Sequence, residues 1–80
     1  MIKVLFFGKL SDLVKTQPMV VDDYEDLKSL CFGLSSLDAV LGGAIVEKTT
    51  RVAVNHTFVS GNVTLSPNDE VAFMSPLSGG

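Results

Sequence analysis

Residues 2–7, Ile-Lys-Val-Leu-Phe-Phe, alternate in the manner of a β-strand. Ile2, Val4 and Phe6 share one face, and Lys3, Leu5 and Phe7 share the other. Both faces are rich in apolar side chains, and Gly8 closes the run. Leu10, Leu13 and Val14 then recur at helical spacing, which predicts a helix of one or two turns within residues 9–16. Pro18 opens a second strand, Met19-Val20-Val21, placed to form a hairpin with the first across a long connection.

The main helix signal follows. Tyr24, Leu27, Leu30, Cys31, Leu34 and Leu37 fall on one face at a 3.6-residue period. Asp22 or Asp23 is expected to cap this helix, with Glu25 and Asp26 in its first turn, where negative charge suits the helix dipole. Gly33 weakens it, and Ser35-Ser36 is expected to end it. Residues 38–50, interrupted by Gly42-Gly43, read as a loop with a short helix or strand piece. Residues 51–54 and 58–59 read as strands about the turn Asn55-His56-Thr57, and residues 63–65 as a third short piece. Ser66-Pro67-Asn68-Asp69 has turn composition, and Glu70–Met74 is the last strand. The order β, β, α, then several β pieces predicts one main helix packed on one face of a mixed sheet, an α+β architecture of the β-grasp, ubiquitin-like kind. A ferredoxin-like arrangement needs a second substantial helix, which residues 38–50 supply poorly. The expected organisation is a β-grasp domain over residues 1–74 and a flexible, extended C-terminal tail over residues 75–80.

With 80 residues the chain has room for one domain, and 46% hydrophobic against 19% charged residues excludes intrinsic disorder. The net charge of −3 and the lack of a basic patch argue against nucleic acid. No apolar run approaches the roughly 20 residues of a membrane span, and the start lacks a signal-peptide pattern, so no membrane association and a cytoplasmic location are expected. One cysteine and one histidine cannot build an internal disulfide or a Cys/His zinc site.

Catalytic constellations are equally sparse. His56 falls in a turn and reads as solvated. Cys31 lies on the apolar helix face and reads as a structural thiol. The acidic run at 22–26 reads as capping, and Gly42-Gly43 lacks the lysine of a phosphate loop. Two features stand apart. Residues 52–80 carry only Asp69 and Glu70 as charged side chains, and the last strand is apolar on both faces. If one face packs on the helix, the other presents Leu5, Phe7, Phe58 and Met74, a surface suited to a protein partner unless residues 38–50 fold over it. The second feature is the final Gly79-Gly80, which has no Cβ atoms and can thread a narrow channel. Its carboxylate is a chemical handle that ATP can convert to an acyl-adenylate.

Three blocks carry a family resemblance: Met1–Phe7, Ala53–Ser60, and Asp69–Met74 running on through Pro76 to Gly79-Gly80. With them the chain resembles the ubiquitin-like sulfur carriers of the MoaD/ThiS family, and within it the branch of the molybdopterin synthase small subunits. The resemblance implies a β-grasp carrier that is not catalytic alone and serves as the sulfur-donating subunit. It implies that Gly80 is adenylated by an enzyme resembling the ubiquitin-activating type, then thiocarboxylated. The carrier then inserts its tail into the synthase large subunit, within a heterotetramer, and gives sulfur to cyclic pyranopterin monophosphate to form the molybdopterin dithiolene. Carried over by position, Pro76, Leu77, Ser78 and Gly79 form the tail, and Phe7, Phe58 and Met74 meet the partner. The chain itself is expected to bind no cofactor and no metal, ATP being used by the activating partner. Departures are Ser75-Pro76 where two prolines are common, Asn68-Asp69 where Gly-Asp is common, Met74 where an aromatic residue is common, and the oddly placed Phe32 and Gly33. Alternatives within the same fold are a ThiS-like carrier for thiamine thiazole, a carrier for tRNA thiolation, and a ubiquitin-like protein modifier. A pure interaction module with an incidental diglycine is the remaining one.

Overall fold

A computed structural model describes residues 1–76. Strand β1 (Ile2–Phe7) leads into a short 3-10 helix (Gly8–Leu13) and strand β2 (Met19–Val21). Two helices follow, α1 (Leu27–Leu37) and α2 (Ala39–Ile45), then strands β3 (Arg51–Val54), β4 (Thr57–Val59) and β5 (Glu70–Met74). The strands form one five-stranded sheet in the order β2-β1-β5-β3-β4. β5 runs parallel to β1 and antiparallel to β3, and the other pairs are antiparallel. This mixed sheet with a helix across one face is the β-grasp fold.

The alternation in β1 sets the two sides of the sheet. Ile2, Val4 and Phe6 enter the core with Val71 and Phe73 of β5, beneath Leu27, Leu30 and Leu34 of α1. The Phe6 and Phe73 rings stack with centroids 5.8 Å apart. Leu41 and Ile45 of α2 join the same core, so residues 38–50 pack on the helix side and leave the opposite sheet face uncovered. Past Val4 the outer edge of β1 has no strand beside it, and the Gln17 side chain takes over by accepting from Phe6 N at 2.7 Å.

Helix α1 begins later than its apolar periodicity implied. Asp22 and Asp23 do not cap it, and neither Glu25 nor Asp26 lies in its first turn. Asp26 is the N-cap, its Oδ1 accepting from Ser29 N at 2.8 Å. Long-range bonds hold the preceding residues extended: Leu65 N donates to Glu25 O and Leu27 N donates to Val63 O, each at 2.9 Å. Residues 63–65 are therefore a single bridge, Asp26 opposite Thr64, rather than a strand. Asn62 completes the cap, accepting from Lys28 N and donating to Asp26 Oδ2. Tyr24, outside the helix, lies across Gly33, where any Cβ would collide with its hydroxyl. That contact accounts for Gly33, which periodicity alone made look misplaced.

Ser35-Ser36 does not end α1. The helix runs on to Leu37, whose side chain is exposed rather than part of the apolar stripe. Asp38 stops it and starts α2, its carboxylate accepting from Val40 N and Leu41 N. The hairpin between β3 and β4 turns on Asn55 and His56 alone, both with positive φ as a tight two-residue turn requires, which puts Thr57 in the strand. In the Ser66–Asp69 turn, Asn68 takes φ 70° and Asp69 accepts from Ser66 N at 2.7 Å.

Candidate functional site

The register places the outward side chains in three rows. Phe7, Met74 and Arg51 are neighbours in the row nearest the end of β5. Leu5, Ala72, Ala53 and Phe58 form the next row. Lys3 and Glu70 form the third, with His56 Nε2 3.4 Å from Glu70 Oε2. Ala53 and Ala72 are small and buried under their taller neighbours, so the face is concave. The hollow has a volume of about 290 Å³; Leu5, Phe7, Phe58 and Met74 are its apolar walls, and His56 and Glu70 also line it. Phe7 is 48% exposed and Phe58 54% exposed, while Met74 is half-buried. Arg51 holds its guanidinium 4.4 Å from the centroid of the Phe58 ring. Such a contact contributes about 0.5–1 kcal/mol at an exposed site, and it leaves the cation standing at the rim of an apolar surface.

Phe7 and Met74 are thus brought onto one face with Leu5, in keeping with the alternation in β1 and β5, and the β3–β4 register adds Phe58. Alternation already puts Ala72 on the face of Met74, but Arg51 and Ala53 escaped the sequence reading. Only the pairing register decides that the two alanines sit side by side between Leu5 and Phe58. An exposed apolar surface of this kind, with few charges at its centre, has the composition of a protein interface.

The chain leaves the sheet beside this face. Directly after β5, Ser75 N donates to Phe7 O at 3.3 Å, and Ser75 Oγ accepts from Lys9 N at 2.7 Å. Pro76 follows, exposed. Leu77, Ser78, Gly79 and Gly80 lie outside the described residues.

The other candidate groups stand apart from this face or at its margin. Cys31 is half-buried on α1, and burial pushes its thiol up, away from the reactive thiolate. His56 is exposed at the tip of the β3–β4 turn. Among the described residues no three His, Cys, Asp or Glu side chains converge as a metal site, and no helix is long and apolar enough to cross a membrane. Phe32, 76% exposed, lines a larger hollow of about 840 Å³ between β2 and α1, with Met1, Val20, Tyr24 and Leu37.

Comparison with known proteins gives this geometry its context. The molybdopterin synthase sulfur carrier subunit of Escherichia coli (strain K12) is 36% identical over 81 aligned positions that cover the whole of both chains. The pattern of the ThiS family matches residues 4–80, from the first strand through the terminal diglycine. This protein belongs to the ThiS family.

Proposed function

We propose that this protein is the sulfur-carrier small subunit of a molybdopterin synthase and that its reactive atom is the C-terminal carbonyl of Gly80. The observation that carries this reading is the full-length likeness to a sulfur carrier subunit, in a chain whose uncovered apolar face adjoins the end of β5. A partner that covers Phe7, Phe58 and Met74 holds the emerging segment beside its own surface.

The chemistry suits a chain with few catalytic side chains. The Gly80 carboxylate attacks the α-phosphorus of ATP and displaces pyrophosphate, giving an acyl-adenylate. A hydrosulfide equivalent from a sulfurtransferase then adds to that carbonyl and displaces AMP, leaving a thiocarboxylate and a proton. The thiocarboxylate sulfur attacks an oxygen-bearing carbon of cyclic pyranopterin monophosphate and displaces that oxygen, as water or as the phosphate. Water cleaves the resulting thioester, returning the Gly80 carboxylate and leaving the sulfur on the pterin; a second charged carrier repeats the step for the second sulfur of the dithiolene. ATP binding, proton transfer and pterin binding belong to the partners: an adenylating enzyme of the ubiquitin-activating type, and a large synthase subunit. In the working assembly two large subunits stand at the centre with one carrier at each end, and its place is the cytoplasm.

The test is reconstitution. The full chain is incubated with the adenylating enzyme, ATP and sulfide, and intact mass spectrometry reads the exchange of one oxygen for sulfur. The charged carrier is then given the synthase large subunit and cyclic pyranopterin monophosphate. Dithiolene formation is the expected result. A carrier that charges but delivers only to thiazole synthase or to a tRNA-thiolating enzyme overturns the pathway. Isopeptide ladders on other proteins overturn the carrier role in favour of a modifier.

A further inference from the structure

We propose that Ser75, closed against Gly8, is a positioning residue that fixes where the C-terminal segment leaves the sheet and so aims it for transfer. The proposal rests on the carrier reading above. Two independent features of the fold carry it. The first is a set of hydrogen bonds beyond the last ladder pair, Phe7 with Met74. Ser75 N donates to Phe7 O at 3.3 Å, Lys9 N donates to Ser75 Oγ at 2.7 Å, and Ser75 Oγ stands 3.4 Å from Phe7 O as donor. A single hydroxyl thereby bridges main-chain groups on either side of Gly8.

The second feature is Gly8 itself. Its φ of +68° turns the chain out of β1, a conformation that L side chains rarely adopt. A Cβ there would lie 2.5 Å from Ser75 Oγ and 2.9 Å from Ser75 O. Any larger residue at position 8 pushes Ser75 off its seat. The latch also has a rigid sequel. Pro76 restricts Ser75 to extended conformations and fixes its own φ near −65°. A direction set at Ser75 therefore passes through Pro76 toward the residues that follow. Without the hydroxyl the same backbone retains one bond to Phe7 O and loses its tie to Lys9.

Ser75→Ala, Ser75→Thr and Gly8→Ala test this. In the isolated full chain, Ser75→Ala is expected to speed exchange of the Lys9 amide roughly tenfold, with the Lys3 amide, bonded to Asp69 O, unmoved. Equal exchange in both proteins overturns the latch. For function, the thiocarboxylate of the full chain is prepared by chemical thiolysis, which bypasses the adenylating enzyme. Single-turnover transfer is then followed with saturating large subunit. Ser75→Ala and Gly8→Ala are expected to slow transfer about tenfold while affinity for the large subunit stays within about twofold, and Ser75→Thr to restore the rate. An unchanged rate in Ser75→Ala, a loss confined to affinity, or a threonine variant as slow as alanine overturns the proposal. A wild-type chain that transfers no sulfur overturns the carrier reading itself, and the role of Ser75 with it.

Discussion

Ala53 and Ala72 stand opposite one another across the β3–β5 ladder, and both are buried although their side chains belong to the outer face. They are the floor of the hollow, with Leu5, Phe7, Phe58 and Met74 as its apolar walls beside His56 and Glu70. The outer face is therefore a socket rather than a plane. Phe7→Asp is expected to raise the dissociation constant for the large subunit by a factor of about 30 or more, the size of an interface hot spot. The same change is expected to cost less than about 1 kcal/mol of folding stability, because Phe7 is half exposed in the free chain. Calorimetric titration against the large subunit, with a urea melt alongside, separates the two. An unchanged complex removes this face from the interface.

Deletion of Gly80 is expected to abolish charging by the adenylating enzyme and to leave the urea midpoint unchanged. The buried core of the described residues runs from Ile2 to Phe73, and Gly80 has no side chain to add to it. A midpoint shift as large as that of a core truncation, about 2 kcal/mol or more, contradicts the separation of carrier chemistry from folding.

Gly33 and Tyr24 are expected to be coupled. In an ordinary helix interior, Gly→Ala stabilises by about 0.5–1 kcal/mol. Here the new methyl must displace the Tyr24 ring. Gly33→Ala is expected to gain less than that alone and the full amount in a Tyr24→Ala background, with a coupling energy of about 1 kcal/mol. A double-mutant cycle by urea denaturation reads it, and additive effects refute the contact.

Hydrogen bonds from Ser29 and Asn62 hold the Asp26 carboxyl below its ordinary value of 3.8. Those from Ser66 and Asn55 do the same for Asp69. A carboxyl with a depressed folded-state pKa contributes stability above its unfolded pKa and loses it as pH falls through the folded value. Stability is therefore expected to fall on acidification below about pH 4. Asp26→Asn keeps a capping oxygen but does not titrate, so its acid limb is expected to be flatter. Urea melts between neutral pH and pH 3 test this, and an acid limb identical to wild type contradicts it.

The elements most legible in the sequence were those whose partners are dictated by alternation. β1 and β5 show two apolar faces each, so alternation grouped Leu5 with Phe7 and Ala72 with Met74, while which face is outer and the place of Phe58 depended on where α1 and residues 38–50 pack. The start of α1 was not legible, because Asp22, Asp23 and Asp26 are all chemically fit to cap. The choice among them was made by Asn62 and by residues 63–65, which are remote in sequence. α2 was obscured by Gly42-Gly43, which lower helix propensity, while burial of Leu41 and Ile45 holds the helix in place. The bond from Lys9 to Ser75 joins residues 66 positions apart, and no local signal announces it.

The placement of β5 bears on how the sheet is closed. Among the described residues, the β1–β2 pair and the β3–β4 pair share no ladder except through Glu70–Met74. The last strand inserts between them and stitches both halves at once. It also delivers Ala72 and Met74, without which the outer hollow loses half of its alanine floor and one wall. A partner that docked on this face would bind only a chain whose last strand is seated between β1 and β3.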